Sequence, residues 1–111
     1  MRIKTQDYND VTVIKLQGEL DAELADKFQA IMTNLISSNK RGIVVDMGDV
    51  GFINSEGLER LLWARDYCSE NHCQLRLAGL DENCEKILNI TRLENEFDRY
   101  VEVAGAVKSL A

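Results

Sequence analysis

The sequence predicts a single α/β domain built on a mixed, mostly parallel β-sheet of four to five strands. Two segments rich in Ile, Val and Thr, 2–8 and 11–17, are separated only by Asn9-Asp10, which indicates an antiparallel hairpin. After them, helical patterns of roughly 15–20 residues alternate with short strands, which implies right-handed crossovers and parallel pairing. The 111 residues contain no proline and no internal repeat, so one domain, 1–111, is expected.

The first helix is predicted from Asp21 to about Ser38. The stretch Gly18–Asp21 ends the second strand, Asp21 is a favourable N-cap, and Glu23 suits the positive end of the helix dipole. The apolar residues recur at helical spacing and form one stripe, made of Leu24, Phe28, Ile31, Met32, Leu35 and Ile36.

The central strand is predicted at 43–47, where an unbroken apolar run indicates burial on both faces. The connector after it has three apolar residues that are expected to be buried: Val50, Phe52 and Ile53. A helix then begins at Asn54-Ser55 and continues to about residue 70, with apolar positions at Leu58, Leu61, Leu62 and Cys68.

The last third of the chain repeats the alternation. Residues 74–78 form a short alternating strand, and Asp81 caps a third helix whose apolar face is Cys84, Ile87 and Leu88. Apolar residues between 97 and 103 predict a last strand, and those between 104 and 110 predict a closing helical turn or two. Functional surfaces of parallel sheets lie beyond the carboxyl ends of the strands, where Asp21 and Asn54-Ser55 both fall.

Composition limits the function. The formal net charge of −6 argues against nucleic acid and suits a basic partner. No apolar run approaches the ~18 residues of a membrane span, and no secretory signal is recognisable, so a cytoplasmic protein with no direct membrane insertion is expected. Cysteines 68, 73 and 84 lack a CxxC pair and are expected to be reduced, partly buried thiols.

Ser55 has three interpretations. As a nucleophile it needs a base, but the only histidine, His72, is about 25 Å away along a helix with 1.5 Å rise per residue, so no enzyme is expected. As a helix cap it would serve structure alone. As a phosphate acceptor it would use the positive helix end, and Gly57 would let a phosphate or another backbone approach closely.

Metal and nucleotide sites have little support in the sequence. Cys68, His72 and Cys73 match no standard zinc spacing, and the carboxylates Asp46, Asp49 and Glu56 are typical of a solvated loop. No phosphate-binding glycine motif is present, so no cofactor and no metal is expected.

Three motifs together resemble a known family. G-E-L-D at 18–21, I-V-V-D-M at 43–47 and F-I-N-S-E-G-L at 52–58 are similar to the anti-sigma-factor antagonists of the STAS domain family. The resemblance covers nearly the whole chain and implies a STAS-type sheet with helices packed mainly on one side. It also implies phosphorylation of Ser55 and a partner-binding surface that comprises Asp21, Ile53, Asn54, Ser55, Glu56, Gly57 and Leu58.

The resemblance implies partner switching. The unphosphorylated protein would bind an anti-sigma factor with a histidine-kinase-like Ser/Thr kinase domain, phosphorylation would release it, and a metal-dependent Ser/Thr phosphatase would reset it. Asn54 and Glu56 depart from the family pattern, which commonly has Asp and a small Ser or Thr at these positions. The alternative is a constitutive STAS subunit of a lipid-transport or stress-sensing complex, in which Ser55 is only a helix cap.

Overall fold

The computed structural model describes residues 2–110 and shows a five-stranded mixed sheet with four helices. In chain order the elements are β1 (Ile3–Tyr8), β2 (Val11–Gln17), α1 (Ala22–Ser37), β3 (Gly42–Asp49), α2 (Ser55–Glu70), β4 (Gln74–Ala78), α3 (Glu82–Ile90), β5 (Asp98–Tyr100) and α4 (Val103–Ser109). The strands lie in the order β1-β2-β3-β4-β5. Only β1 is antiparallel to its neighbour, so the predicted mixed, mostly parallel α/β sheet is confirmed.

The two faces of the sheet are covered unequally. Leu16, Val45 and Leu77 belong to a large core that contains the apolar residues of α1, α2 and α3. The alternate residues Val13 and Val44 face α4 in a smaller cluster with Ala106. Three of the four helices therefore pack on one side, as expected, and burial on both faces explains the continuous apolar run of β3.

The end of the chain differs from the prediction. The last strand was expected across 97–103, but β5 is only three residues long, and Val103 is the first residue of α4. The reason is the spacing of Val103, Ala106, Val107 and Leu110, which suits one face of a helix and places these side chains against the smaller cluster. Val101, which was expected in the strand, is 90% exposed.

Three helices end in the same backbone motif without glycine. After α1, α2 and α3 the first residue beyond the cap has a positive φ: Asn39 (62°), His72 (59°) and Arg92 (61°). The backbone N–H of the following residue donates to a carbonyl in the last turn of the helix. These hydrogen bonds run from Lys40 to Leu35 (3.4 Å), from Cys73 to Cys68 (2.8 Å) and from Leu93 to Leu88 (2.8 Å). These are Schellman caps, which bring the side chains five residues apart into contact.

None of the helices within residues 2–110 is both long enough and apolar enough to cross a membrane.

Candidate functional site

Two loops lie side by side at the carboxyl ends of β2 and β3. The Leu20 N–H donates to the Phe52 carbonyl at 2.9 Å, and the Asn54 N–H donates back to the Leu20 carbonyl at 3.2 Å. Leu20 and Ile53 thereby form an isolated parallel bridge beyond the regular strands. The topology predicted that Asp21 and Ser55 share this edge of the sheet, and the bridge brings their two loops together. Residues 18–23 and 51–56 are called the loop surface below.

Asn54, and not Ser55, caps α2. The Asn54 side-chain oxygen accepts a hydrogen bond from the Gly57 N–H at 2.9 Å, and Asn54 has the extended backbone of a cap residue. Ser55 is the first residue inside the helix and is exposed. The interpretation of Ser55 as the helix cap is therefore wrong. Its hydroxyl makes no hydrogen bond to any other residue in the range 2–110.

Asp21 caps α1 from the neighbouring loop. Its carboxylate accepts a hydrogen bond from the Leu24 N–H at 3.0 Å and lies 3.7 Å from the Arg2 guanidinium. The hydrogen bond from Leu24, with a smaller contribution from the charge of Arg2, lowers the pKa of Asp21 below its ordinary value. Asp21 therefore stays ionised at neutral pH and adds a fixed negative charge to the loop surface.

Gly57 is a glycine for an internal reason. A Cβ at this position would lie 2.3 Å from the Leu20 carbonyl oxygen and 3.1 Å from the Ile53 side chain. The expectation that the glycine makes room for a phosphate or another molecule is corrected: the close approach is between α2 and the β2–α1 loop of the same chain. Gly57 is also buried.

The seven residues predicted to bind a partner divide into two layers. Asp21, Asn54, Ser55 and Glu56 have solvent-accessible side chains. Ile53 (2% exposed), Leu58 (9%) and buried Gly57 lie beneath them and cannot contact a partner unless the fold rearranges. Their contribution to the loop surface is the packing that holds its outer residues in place.

Phe52 is the residue that the sequence reasoning misplaced. Val50 and Ile53 are buried as expected, but the Phe52 ring is 48% exposed. Ile53 points into the core from an extended segment, so its neighbour points outward by the two-residue alternation of extended chains. That alternation was the signal available in the sequence. The result is an exposed aromatic ring three residues before Ser55.

The loop surface is strongly acidic. Glu19, Glu23 and Glu56 are all exposed, and they add to the charge of Asp21. Two bases approach this region: the Arg2 guanidinium donates to the Glu19 carbonyl at 2.7 Å, and the Lys27 ammonium lies 3.6 Å from the Glu23 carboxylate. The surface therefore combines negative charge with one exposed aromatic ring.

Residues proposed for other chemistry are separated or already paired. Asp46 accepts a hydrogen bond from the Gly48 N–H at 2.9 Å, and Asp49 lies 3.3 Å from the Lys15 ammonium. His72 lies beyond the opposite end of α2 from Ser55. Within the described part of the chain, no group of three or more His, Cys, Asp or Glu side chains is placed to hold a metal ion.

Fold and site together define a small α/β domain with an exposed serine at a helix N-terminus and an acidic surface around it. The family model of the STAS domain matches residues 2–107. The chain therefore belongs to the STAS domain family, as its motifs predicted.

Relatives and solved structures agree with this assignment. The anti-sigma-B factor antagonist of Staphylococcus aureus is 22% identical over 95 residues, which cover 86% of this chain and 88% of the relative. A Thermotoga maritima structure, provisionally named an anti-sigma factor antagonist, has a TM-score of 0.89 at 20% identity and covers 97% of this chain and 93% of its own. The anti-sigma factor antagonist SpoIIAA in its unphosphorylated form has a TM-score of 0.83 at 16% identity, covering 96% of this chain and 94% of its own. The Bacillus cell fate determinant SpoIIAA has also been solved in a phosphorylated form, with a TM-score of 0.77, 16% identity and coverage of 98% and 99%.

Proposed function

We propose that this chain is an anti-sigma-factor antagonist that acts by partner switching in the cytoplasm. Its unphosphorylated form binds an anti-sigma factor that carries a histidine-kinase-like Ser/Thr kinase domain. Phosphorylation of Ser55 releases the complex, and a metal-dependent Ser/Thr phosphatase restores the binding form. The names of its relatives and the existence of a phosphorylated structural neighbour support this proposal.

The observation that carries the proposal is the position of Ser55. Because Asn54 does the capping, the Ser55 hydroxyl is exposed and has no hydrogen bond within residues 2–110. A serine kept only for structure would be expected to cap the helix itself. A hydroxyl that is presented and not used internally is what a kinase requires.

The docking surface is the outer layer of the loop surface. Phe52 supplies an apolar anchor, and aromatic residues of this kind dominate the energetics of many interfaces. Asp21, Ser55 and Glu56 surround it with polar and negative groups. The complementary partner surface is therefore basic, with an apolar recess for the Phe52 ring.

Phosphorylation changes this surface without unfolding it. The added group carries about −1.5 to −2 charges and lies at the positive end of α2. The backbone N–H groups of Ser55 and Glu56 have no hydrogen-bond partner among residues 2–110 and can receive phosphate oxygens. The fold tolerates the charge, whereas a partner seated on Ser55 is displaced by the bulk of the phosphate and by the cost of removing its charges from water.

The two departures from the family pattern affect recognition and not the acceptor. Asn54 retains the capping oxygen that holds the start of α2. Glu56 places a carboxylate beside Ser55, where it repels the incoming phosphate and slows transfer by a kinase tuned to small residues. We therefore expect Glu56→Ser to be phosphorylated faster than the natural chain.

The first experiment measures phosphate transfer. The chain is incubated with ATP, magnesium and the kinase-type anti-sigma factors of its own organism, and intact mass is recorded. Ser55→Ala tests the acceptor, and Ser69→Ala is the matched control because Ser69 is an exposed serine at the other end of the same helix. One phosphate that disappears only in Ser55→Ala supports the proposal. Transfer that survives in Ser55→Ala contradicts it.

The second experiment measures binding. Ser55→Asp and Ser69→Asp add the same charge to the same helix, at its two ends, so they separate a local effect from net charge. We expect Ser55→Asp to weaken binding to the anti-sigma factor at least tenfold, and Ser69→Asp to leave it within twofold. Equal binding by both variants would place the docking surface elsewhere.

A further inference from the structure

Two of the three cysteines meet at the end of α2. In the Schellman cap of this helix, Cys68 and Cys73 occupy the two positions whose side chains normally make an apolar contact. At the matching cap of α3 those positions are Leu88 and Leu93. The α2 cap therefore has a pair of thiols where α3 has a pair of leucines.

The backbone geometry of the cap is compatible with a bond between the two sulfurs. The Cys73 N–H is 2.8 Å from the Cys68 carbonyl oxygen. With standard bond lengths, this hydrogen bond limits the separation of the two Cα atoms to at most roughly 6.7 Å. Disulfides bridge Cα atoms that are about 4.4–6.8 Å apart. The backbone of the cap therefore keeps the two Cα atoms within the upper limit of a disulfide.

The two thiols are unequal. The hydrogen bond between them lowers the pKa of Cys73, and the same hydrogen bond, together with burial, raises the pKa of Cys68. Cys73 also lines an open groove of about 290 Å³, whose Arg65 and Arg76 side chains are paired with Glu96 and Asp98. The lowered pKa favours the thiolate, which is the reactive form, and the groove borders Cys73, so Cys73 is the nucleophile of the pair.

The third cysteine provides a contrast. Like Cys68 and Cys73, Cys84 is buried, but its thiol donates to the Val50 carbonyl at 3.2 Å. Burial is the main cause that raises the pKa of Cys84 to about 12. It therefore serves as an internal control for unselective oxidation.

We propose that Cys68 and Cys73 form an oxidative modification site that a small peroxide converts into an intramolecular disulfide. The Cys73 thiolate attacks one oxygen of hydrogen peroxide, the O–O bond breaks, and a sulfenic acid and hydroxide form. The Cys68 sulfur then attacks the Cys73 sulfur, the S–O bond breaks, and the departing hydroxide takes the Cys68 proton as water. The two thiols lose two electrons, and the peroxide is reduced to water. The product links the end of α2 to the start of β4.

The test uses the whole chain and dilute hydrogen peroxide, followed by denaturation, alkylation of free thiols and intact mass. The untreated protein takes up three alkyl groups, one per cysteine. After peroxide we expect each chain to take up one alkyl group. Before alkylation its mass should be lower than that of the untreated chain by two hydrogen atoms, and proteolysis should release a peptide that joins Cys68 to Cys73. Cys84→Ser should behave in the same way apart from its missing thiol, and Cys73→Ser should form no internal link.

Three results would overturn the proposal: three free thiols after treatment, a link that includes Cys84, or a disulfide between two chains. Peptide mapping of the natural chain decides among them even if a serine variant folds poorly. None of these results depends on the partner of the loop surface, so the test is independent of the proposed function.

Discussion

Replacing Gly57 with alanine tests the internal contact beneath the loop surface. A Cβ added there lies 2.3 Å from the Leu20 carbonyl oxygen, and real Cβ contacts almost never fall below 3.0 Å. The oxygen and the helix must therefore separate by at least about 0.7 Å, the difference between those two distances. That movement strains the hydrogen bond that the same oxygen accepts from the Asn54 N–H.

The energies favour destabilisation. Alanine gains up to about 1 kcal/mol over glycine in helix propensity. Overpacking costs about 1–3 kcal/mol, and a weakened hydrogen bond costs about 1 kcal/mol more. The net expectation is a loss of roughly 1–3 kcal/mol in the free energy of unfolding. Urea denaturation followed by circular dichroism measures it as a lower midpoint at unchanged slope.

Gly51→Ala is the matched control. A Cβ at Gly51 would have no heavy atom within 4 Å. The free energy of unfolding of this variant should therefore lie within about 0.5 kcal/mol of that of the natural chain. If Gly57→Ala is as stable as the natural chain or more stable, the contact with Leu20 does not determine the residue, and the argument from close packing fails.

Three further predictions concern the same edge of the sheet. Asn54→Ala should cost about 1 kcal/mol in urea denaturation because the cap is lost, whereas Ser55→Ala should cost under about 0.5 kcal/mol; equal losses would restore Ser55 as a cap. Phe52→Ala should leave the free energy of unfolding within about 0.5 kcal/mol of that of the natural chain. It should weaken anti-sigma factor binding by about 2 kcal/mol, measured by calorimetry. Unchanged affinity would remove the ring from the docking surface. The pKa of Asp21 is lowered in the folded state, so its carboxylate stabilises the fold above its unfolded pKa near 3.8, and this contribution disappears as the pH falls through the lower folded value. Asp21→Asn keeps a capping oxygen and should flatten the loss of stability below about pH 4; an unchanged acid transition would contradict this.

Much of the fold could be predicted because its signals are short-range. The apolar stripe of α1, the caps Asp21 and Asp81, and the alternation in β4 are each encoded within a few neighbouring residues. Such patterns depend on the 3.6-residue and two-residue periods of helix and strand, and these periods are the same in every fold. The candidate site could also be located, because parallel strands carry their following loops to one edge.

Short apolar segments near the end of the chain were harder to assign. Residues 97–103 have strand-like composition, yet only three residues pair with β4. Whether Val103 continued a strand or began a helix depended on where the uncovered face of the sheet lay. That face is formed by β2 and β3, far away in the sequence, and α4 covers it with Ala106. A helix forms here because it buries apolar surface that a longer edge strand would leave exposed.

By itself, the sequence determined the class of fold, the family and the exposed serine at the start of α2. Only the tertiary structure decided why Gly57 is glycine and that Ile53 and Leu58 support the loop surface from below. The physical reason is distance along the chain: each of these features depends on the contact between the loop at Leu20 and the loop at Ile53. No local period records a contact between segments that far apart, and the folded chain creates it only when β2 and β3 pair.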